Sequence, residues 1–385
     1  MFSPTDSMQG LYIHIPFCAS RCIYCDFYST THTEVTNHYI DCVCKEMRLR
    51  NLSRDSISKP KLRTIYIGGG TPSQLCGAEL EQLFRGIESC YDISECIEIT
   101  MECNPEDIND DYISFLRSLP INRLSFGIQS FDDDRLRFLR RRHDSSQAIR
   151  CVELSKSSGY ENISIDLMFG FPGESQESWV RDIDKGLSLE VSHISAYSLM
   201  YSEGTRLTGM LSRGEIHELS DSLMSEMYLE LSTRLRESGY DHYEISNFAK
   251  PGCRSVHNSS YWTGLPYIGI GAGAHSYNGK KRSYNIESLS KYIASIDNDE
   301  LNEVEEELTD EDRYNEYVML RLRRKEGICL DEMKKLFNEK HIDYFLERSK
   351  KHISMDNMIE DGDSIRIKEE RFYVSDSIIS DLFMV

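Results

Sequence analysis

Short runs of apolar residues recur through the first half of the chain, separated by stretches in which apolar positions fall three and four apart. The runs occupy residues 11–16, 64–68, 97–102, 123–129, 163–169 and 193–199. Their length and content of β-branched and aromatic residues predict strands, and the intervening periodicity predicts amphipathic helices. Strand and helix in strict alternation imply an α/β fold on a parallel sheet. With right-handed crossovers, six such units curl into an open partial (β/α)6 barrel over residues 1–219, with its binding groups at the carboxyl ends of the strands.

The pattern changes after that. A longer helix is predicted over residues 220–237, followed by Tyr240-Asp241-His242-Tyr243-Glu244-Ile245-Ser246-Asn247 and a glycine-rich, aromatic segment over 257–277. Residues 220–296 therefore read as an appendage to the barrel. The charged stretch 297–312 reads as a linker or a solvated helix face, and residues 308–385 as a smaller α+β domain of helices followed by short strands. No internal repeat or low-complexity tract is present.

Charge narrows the range of partners. The formal net charge of −20 removes the broad positive field that attracts phosphate backbones, so nucleic acid is not an expected partner. Met1-Phe2-Ser3-Pro4-Thr5-Asp6 lacks a basic region leading into an apolar run, and no stretch is long and apolar enough to cross a bilayer, which points to the cytoplasm. Twelve cysteines in that setting imply reduced thiols. Cys42, Cys44, Cys90, Cys151 and Cys329 fall in helical patterns and Cys96 and Cys103 flank a strand, as core residues do.

Three cysteines are spaced differently. Cys18, Cys22 and Cys25 follow the first strand as Cys-x3-Cys-x2-Cys, a loop able to aim three thiolates at one polynuclear centre. Three ligands on a four-iron four-sulfur cluster leave one iron open, whereas electron-transfer clusters are held by four. A structural zinc site would need a fourth ligand; His14 is near in sequence, but its place in an alternating strand suits a packed residue.

Together with Tyr12-Ile13-His14-Ile15-Pro16-Phe17-Cys18 and Gly68-Gly69-Gly70-Thr71-Pro72-Ser73, this loop resembles the radical S-adenosylmethionine superfamily. The resemblance implies that the open iron binds the amino and carboxylate groups of S-adenosylmethionine. It also implies a cofactor site formed by Tyr12, Gly69, Gly70, Thr71, Glu102, Gln129, Arg141 and Asp166. The glycines would let backbone approach the methionyl amine, and Arg141 suits the carboxylate through a bidentate fork. Glu102, Gln129 and Asp166 suit the ribose hydroxyls or the amine.

Gly127-Ile128-Gln129-Ser130-Phe131, Asp166-Leu167-Met168-Phe169-Gly170-Phe171-Pro172-Gly173 and Tyr243-Glu244-Ile245-Ser246 look like the coproporphyrinogen dehydrogenase-like branch. That branch holds both oxygen-independent coproporphyrinogen III dehydrogenases and haem chaperones. Three features favour a chaperone. Phe27 stands where the dehydrogenase has a further cysteine, only residues 1–11 precede the first strand in place of a longer arm, and His257-Asn258-Ser259-Ser260-Tyr261-Trp262 matches a chaperone motif.

The resemblance implies haem on His257 as iron ligand with Tyr261 and Trp262 against the macrocycle. His275 is a second candidate ligand, and His32, His38, His341 and His352 read as surface residues without a role. The C-terminal unit resembles a winged-helix-like domain, whose acidity suits covering the active site or meeting a protein more than binding DNA. Expected partners are haem, S-adenosylmethionine and a haemoprotein acceptor, with a homodimer open. Porphyrinogen oxidation and electron transfer or structural metal binding are the competing functions, and whether S-adenosylmethionine is cleaved is left open.

Overall fold

In the computed structural model, described for residues 9–52 and 59–384, each of the six apolar runs is a strand. Residues 1–6, the basis for expecting no leader, lie outside the described residues. The units are β1 (Gln9–Ile15), α1 (Thr36–Leu52), β2 (Leu62–Gly69), α2 (Gly77–Cys90), β3 (Glu98–Cys103), α3 (Asp110–Ser118), β4 (Arg123–Gln129), α4 (Asp133–Leu139), α5 (Ser145–Ser157), β5 (Asn162–Phe169), α6 (Gln176–Ser188) and β6 (His193–Ser198). Strands β1 to β6 pair in parallel and in sequence order. Both faces of these strands are buried, which is why they are near-continuously apolar. Side-chain caps start the helices: Asn109 on α3, Ser175 on α6, and a reciprocal Asp144/Gln147 box on α5.

The next segment comprises α7 (Arg206–Ser212), α8 (Asp221–Glu237), β7 (Asp241–Glu244), β8 (Asn247–Ala249), α9 (Val256–Trp262), β9 (Tyr267–Ile270), β10 (His275–Tyr277), β11 (Lys281–Asn285), α10 (Leu289–Asp297) and β12 (Glu303–Glu307). It extends the sheet at both edges. β8 joins β6 antiparallel, while β9 joins β1 in parallel and carries β10, β11 and β12 outward, giving a twelve-stranded order β12-β11-β10-β9-β1-β2-β3-β4-β5-β6-β8-β7. The 297–312 stretch is thus neither linker nor solvated helix face: it contains the edge strand β12. Its glutamates stand opposite the basic end of β11, where Lys281 pairs with Glu305 at 3.2 Å and Glu307 at 2.9 Å. Cross-strand charge pairing, rather than apolar alternation, makes it a strand.

The remainder holds α11 (Asp310–Leu322), β13 (Ile328–Cys329), α12 (Leu330–Leu336), α13 (Glu339–Ser354), β14 (Met358–Asp361), β15 (Ser364–Ile367) and α14 (Ser375–Ser380), with a small antiparallel sheet ordered β13-β15-β14. This is the α+β composition the pattern predicts. Its core is continuous with that of the main sheet. The edge of Phe372 lies on His242 at 5.1 Å between ring centres, and the Ile245 N–H donates to the Arg323 carbonyl at 3.1 Å.

Two expectations about single residues are corrected. Cys329 is not helical but occupies β13 and the position before α12. His341 and His352 are buried on α13 rather than on the surface, because they fall on the helix face that holds Ile342, Phe345 and Ser349.

Candidate functional site

The loop after β1 folds back on itself: the Cys18 N–H donates to the Thr30 carbonyl at 2.9 Å, and the Thr30 N–H to that of Pro16 at 2.7 Å. This brings Cys18, Cys22 and Cys25 to one cavity of about 170 Å³, shared with Gly69, Gly70, Thr71, Glu102, Gln129, Arg141 and Asp166. All the expected cofactor residues except Tyr12 therefore meet there. Thr71 Oγ1 lies 3.5 Å from Cys18 Sγ, and Arg141 Nη1 lies 3.7 Å from Cys22 Sγ. Burial raises the Cys18 thiol and pushes Cys25 up to about 11, so a cation must supply what solvent does not if they are to ionise.

The donor set suits a polynuclear iron centre with one open site. His14 is no fourth ligand, since its Nε2 bonds the Tyr28 carbonyl at 2.9 Å and its Nδ1 the Tyr12 hydroxyl at 2.9 Å. That leaves three thiols, too few for a closed structural zinc site.

Around the thiols, strand ends supply the polar groups. Glu102 at the end of β3 accepts from Tyr66 at 2.7 Å and from the Gly69 N–H at 3.0 Å, and burial pushes its carboxyl up to about 7. Asp166 lies within β5, opposite Gly127 and Ser195, and burial pushes it up to about 6. Two such carboxyls can each donate or accept toward hydroxyl and ammonium groups. Gln129 ends β4 at a bulge with φ of 69°, a left-handed conformation that costs a residue with a side chain about 1 to 2 kcal/mol and is consistent with a positioned amide.

Arg141 reaches in from beyond α4. Its Nη2 donates to Asn104 Oδ1 at 2.8 Å and to the Gly127 carbonyl at 2.5 Å, while its buried Nε has no partner. An unpaired buried donor on an arginine calls for an acceptor, as a carboxylate would provide.

The glycines have a reason that the sequence did not suggest. A Cβ on Gly70 would lie 2.8 Å from the Phe17 oxygen and the Pro16 carbonyl carbon, and Gly69 has φ of 115°. Gly70 is required by contact with the start of the cysteine loop, and Gly69 by its left-handed backbone and by the His14 ring, 2.7 Å from where a Cβ would lie. Asn104, which holds Arg141, and Tyr66, which holds Glu102, were not singled out from sequence; the Asn104-Pro105 step after a strand is the only local signal for either.

A second, larger cavity of about 1040 Å³ lies between the β1, β9, β10 edge and the C-terminal unit. Phe27 lines both cavities and is 66% exposed. Tyr12 lines the larger one, not the thiol cavity, because its strand position points it toward His14 and that side. Tyr261 and Trp262 line it as well, and the indole N–H of Trp262 is buried without a partner.

His257 does not line it. The ring is fully buried, with Nδ1 at 2.9 Å from Thr64 Oγ1 and Nε2 at 2.8 Å from the Tyr261 hydroxyl, and burial lowers it to about 3. With both nitrogens engaged it is a core histidine in this arrangement, and the expectation of an available iron ligand is not met there. His275, by contrast, is exposed in the cavity and stacks on Tyr284 at 5.2 Å.

Residues 12–186 match the family model of the radical SAM superfamily. A heme chaperone HemW of Lactococcus lactis is 33% identical over 372 residues, 96% of each chain. One of Bacillus subtilis is 36% identical over 340 residues, 87% of each chain. Among solved structures, the coproporphyrinogen III oxidase HemN of Escherichia coli superposes with a TM-score of 0.84 over 99% of this chain and 91% of its own, at 21% identity, a likeness of fold. No helix among the described residues is long and apolar enough to cross a membrane.

Proposed function

The chain belongs to the HemW family of radical S-adenosylmethionine proteins, and from that premise we propose that it binds haem in the larger cavity and passes it to haemoproteins. Cys18, Cys22 and Cys25 would hold the four-iron cluster, and Arg141, Glu102, Gln129 and Asp166 would hold S-adenosylmethionine beside it. When bound, the cluster supplies one-electron chemistry at an open iron. The chain's own part is to position and to exclude water: Asn104 and Gly127 fix the guanidinium, and Tyr66 fixes Glu102.

The observation that carries the haem reading is the larger cavity itself, walled by Tyr12, Tyr28, Tyr261, Trp262 and Tyr267 and meeting the thiol site at Phe27. Flat aromatic walls suit a macrocycle, and a phenyl ring at that junction offers apolar surface where a thiol would offer chemistry. The iron ligand in this reading is His275, whose imidazole faces the cavity, and not His257.

Anaerobically reconstituted protein should take up one haem per chain and form no decarboxylated product from coproporphyrinogen III. His275→Ala should shift the Soret band and weaken binding, since water or a poorer ligand replaces the imidazole. A His275→Ala spectrum identical to the native one would remove that residue. No haem uptake, or turnover of coproporphyrinogen, would overturn the chaperone reading.

A further inference from the structure

Away from both cavities, a groove of about 520 Å³ between helices α1 and α2 contains His38 and Cys42 of α1, with Asp297 from the end of α10 at its side. His38 and Cys42 are four apart on α1 and so share one face, and Asp297 is the last residue of α10, brought onto that face by the fold. We propose that His38, Cys42 and Asp297 form a zinc-binding site of the open kind, with three protein ligands and a fourth position left to solvent.

The distances are those of a ligand set. His38 Nε2 lies 3.1 and 3.2 Å from the two oxygens of Asp297, Cys42 Sγ lies 3.8 Å from one of them, and all three donor atoms fall within 4.8 Å of one another. Zinc bonds of about 2.0 to 2.3 Å at tetrahedral angles place ligand atoms roughly 3.3 to 3.6 Å apart. Small side-chain adjustments reach that spacing. Thiolate, imidazole and carboxylate are each among the ligands zinc takes, and the half-exposed imidazole and carboxylate leave a fourth position open to water.

The groove also holds Asp41, Lys45, Arg48 and Arg85. Lys45, the nearest ammonium, is turned to the Asp297 backbone carbonyl at 3.0 Å and to the Asp299 carboxylate at 2.9 Å, so it leaves the Asp297 carboxylate to His38 and Cys42. Cys42 stands as a thiol that donates to Asp297 Oδ1. As the zinc–sulfur bond forms, the proton leaves to solvent and no electron moves.

The site has a place in the molecule. Helix α1 follows the cysteine loop, and α10 follows β11, whose Arg282 lines the larger cavity. This inference stands independently of the haem reading.

The test uses cluster-loaded protein, in which Cys18, Cys22 and Cys25 are already occupied. After incubation with zinc and gel filtration, elemental analysis should find one zinc per chain. X-ray absorption at the zinc edge should show one sulfur at about 2.3 Å with nitrogen or oxygen at about 2.0 to 2.1 Å. Cys42→Ser and His38→Gln should each bind zinc at least tenfold more weakly, with iron content unchanged as evidence of an intact fold. Cys76→Ser, at an exposed cysteine elsewhere, should bind as the native chain does. No retained zinc, a shell without sulfur, or native affinity in Cys42→Ser would overturn the site and leave an ordinary His38–Asp297 ion pair.

Discussion

At the scale of single residues, His257 shows how a chemically suggestive side chain can be spent on packing. A neutral imidazole has one donor and one acceptor, and the hydroxyls of Thr64 and Tyr261 can complement either tautomer. His257→Ala should leave both hydroxyls short of a partner and open a hole beside Gly10, at a cost of about 2 to 5 kcal/mol readable by urea unfolding. Its haem spectrum should keep the native ligand-sensitive bands. The motif was legible in the sequence because residue types carry it, but its partner Thr64 lies 193 positions away and no local pattern announces it. Arg141 is the opposite case. Its unpaired Nε and its fixed Nη2 describe a guanidinium waiting for an anion, so Arg141→Ala should weaken S-adenosylmethionine binding roughly tenfold to a hundredfold by calorimetry, as loss of about 1.5 to 3 kcal/mol implies, while iron content stays native.

Elements differ in how plainly the chain announces them. The six central strands are buried on both faces and must be apolar, so hydrophobic runs located them within a few residues. The outer strands β11 and β12, Lys-Arg-Ser-Tyr-Asn and Glu-Val-Glu-Glu-Glu, are half-buried and largely exposed respectively and are stabilised by each other's charges; a reading based on apolar periodicity sees only a polar stretch. The turn after β2 shows a related blind spot, since glycines there look like allowances for a ligand until the cysteine loop and the His14 ring are seen against them. Gly70→Ala should therefore act on the cluster and not only on the cofactor: a methyl 2.8 Å from the Pro16 and Phe17 carbonyl groups must push the loop away. The expected outcome is a loss of bound iron on reconstitution. Gly173→Ala is the control, because its Cβ would meet nothing within 4 Å and the cost is limited to backbone strain at φ of 74°. Equal iron content in the two variants would show that the loop can give way.

For the whole molecule, the sequence suggested three units in a row, while the structure joins distant parts of the chain on shared surfaces. The segment after α8 feeds both edges of one sheet, and the C-terminal unit closes the wall of the larger cavity with Tyr317, Phe337 and His341. Phe372 is the point at which this joining can be measured. Its ring is 1% exposed and lies edge-on to His242, with Tyr373 beside Tyr228 of α8 at 5.8 Å. Nearby, the Ile245 N–H bonds the Arg323 carbonyl at 3.1 Å and the Lys325 N–H that of Tyr243 at 3.2 Å, so backbone as well as side chains cross the seam. Apolar burial and backbone bonds on that scale couple two units into one cooperative transition more readily than a polar interdomain contact does. Phe372→Ala should remove about 3 to 5 kcal/mol of packing. In differential scanning calorimetry of the metal-free chain, the expected result is one endotherm that moves to lower temperature as a whole. Two endotherms, of which the substitution shifts only one, would show that the C-terminal unit folds on its own and that the larger cavity can open by its detachment.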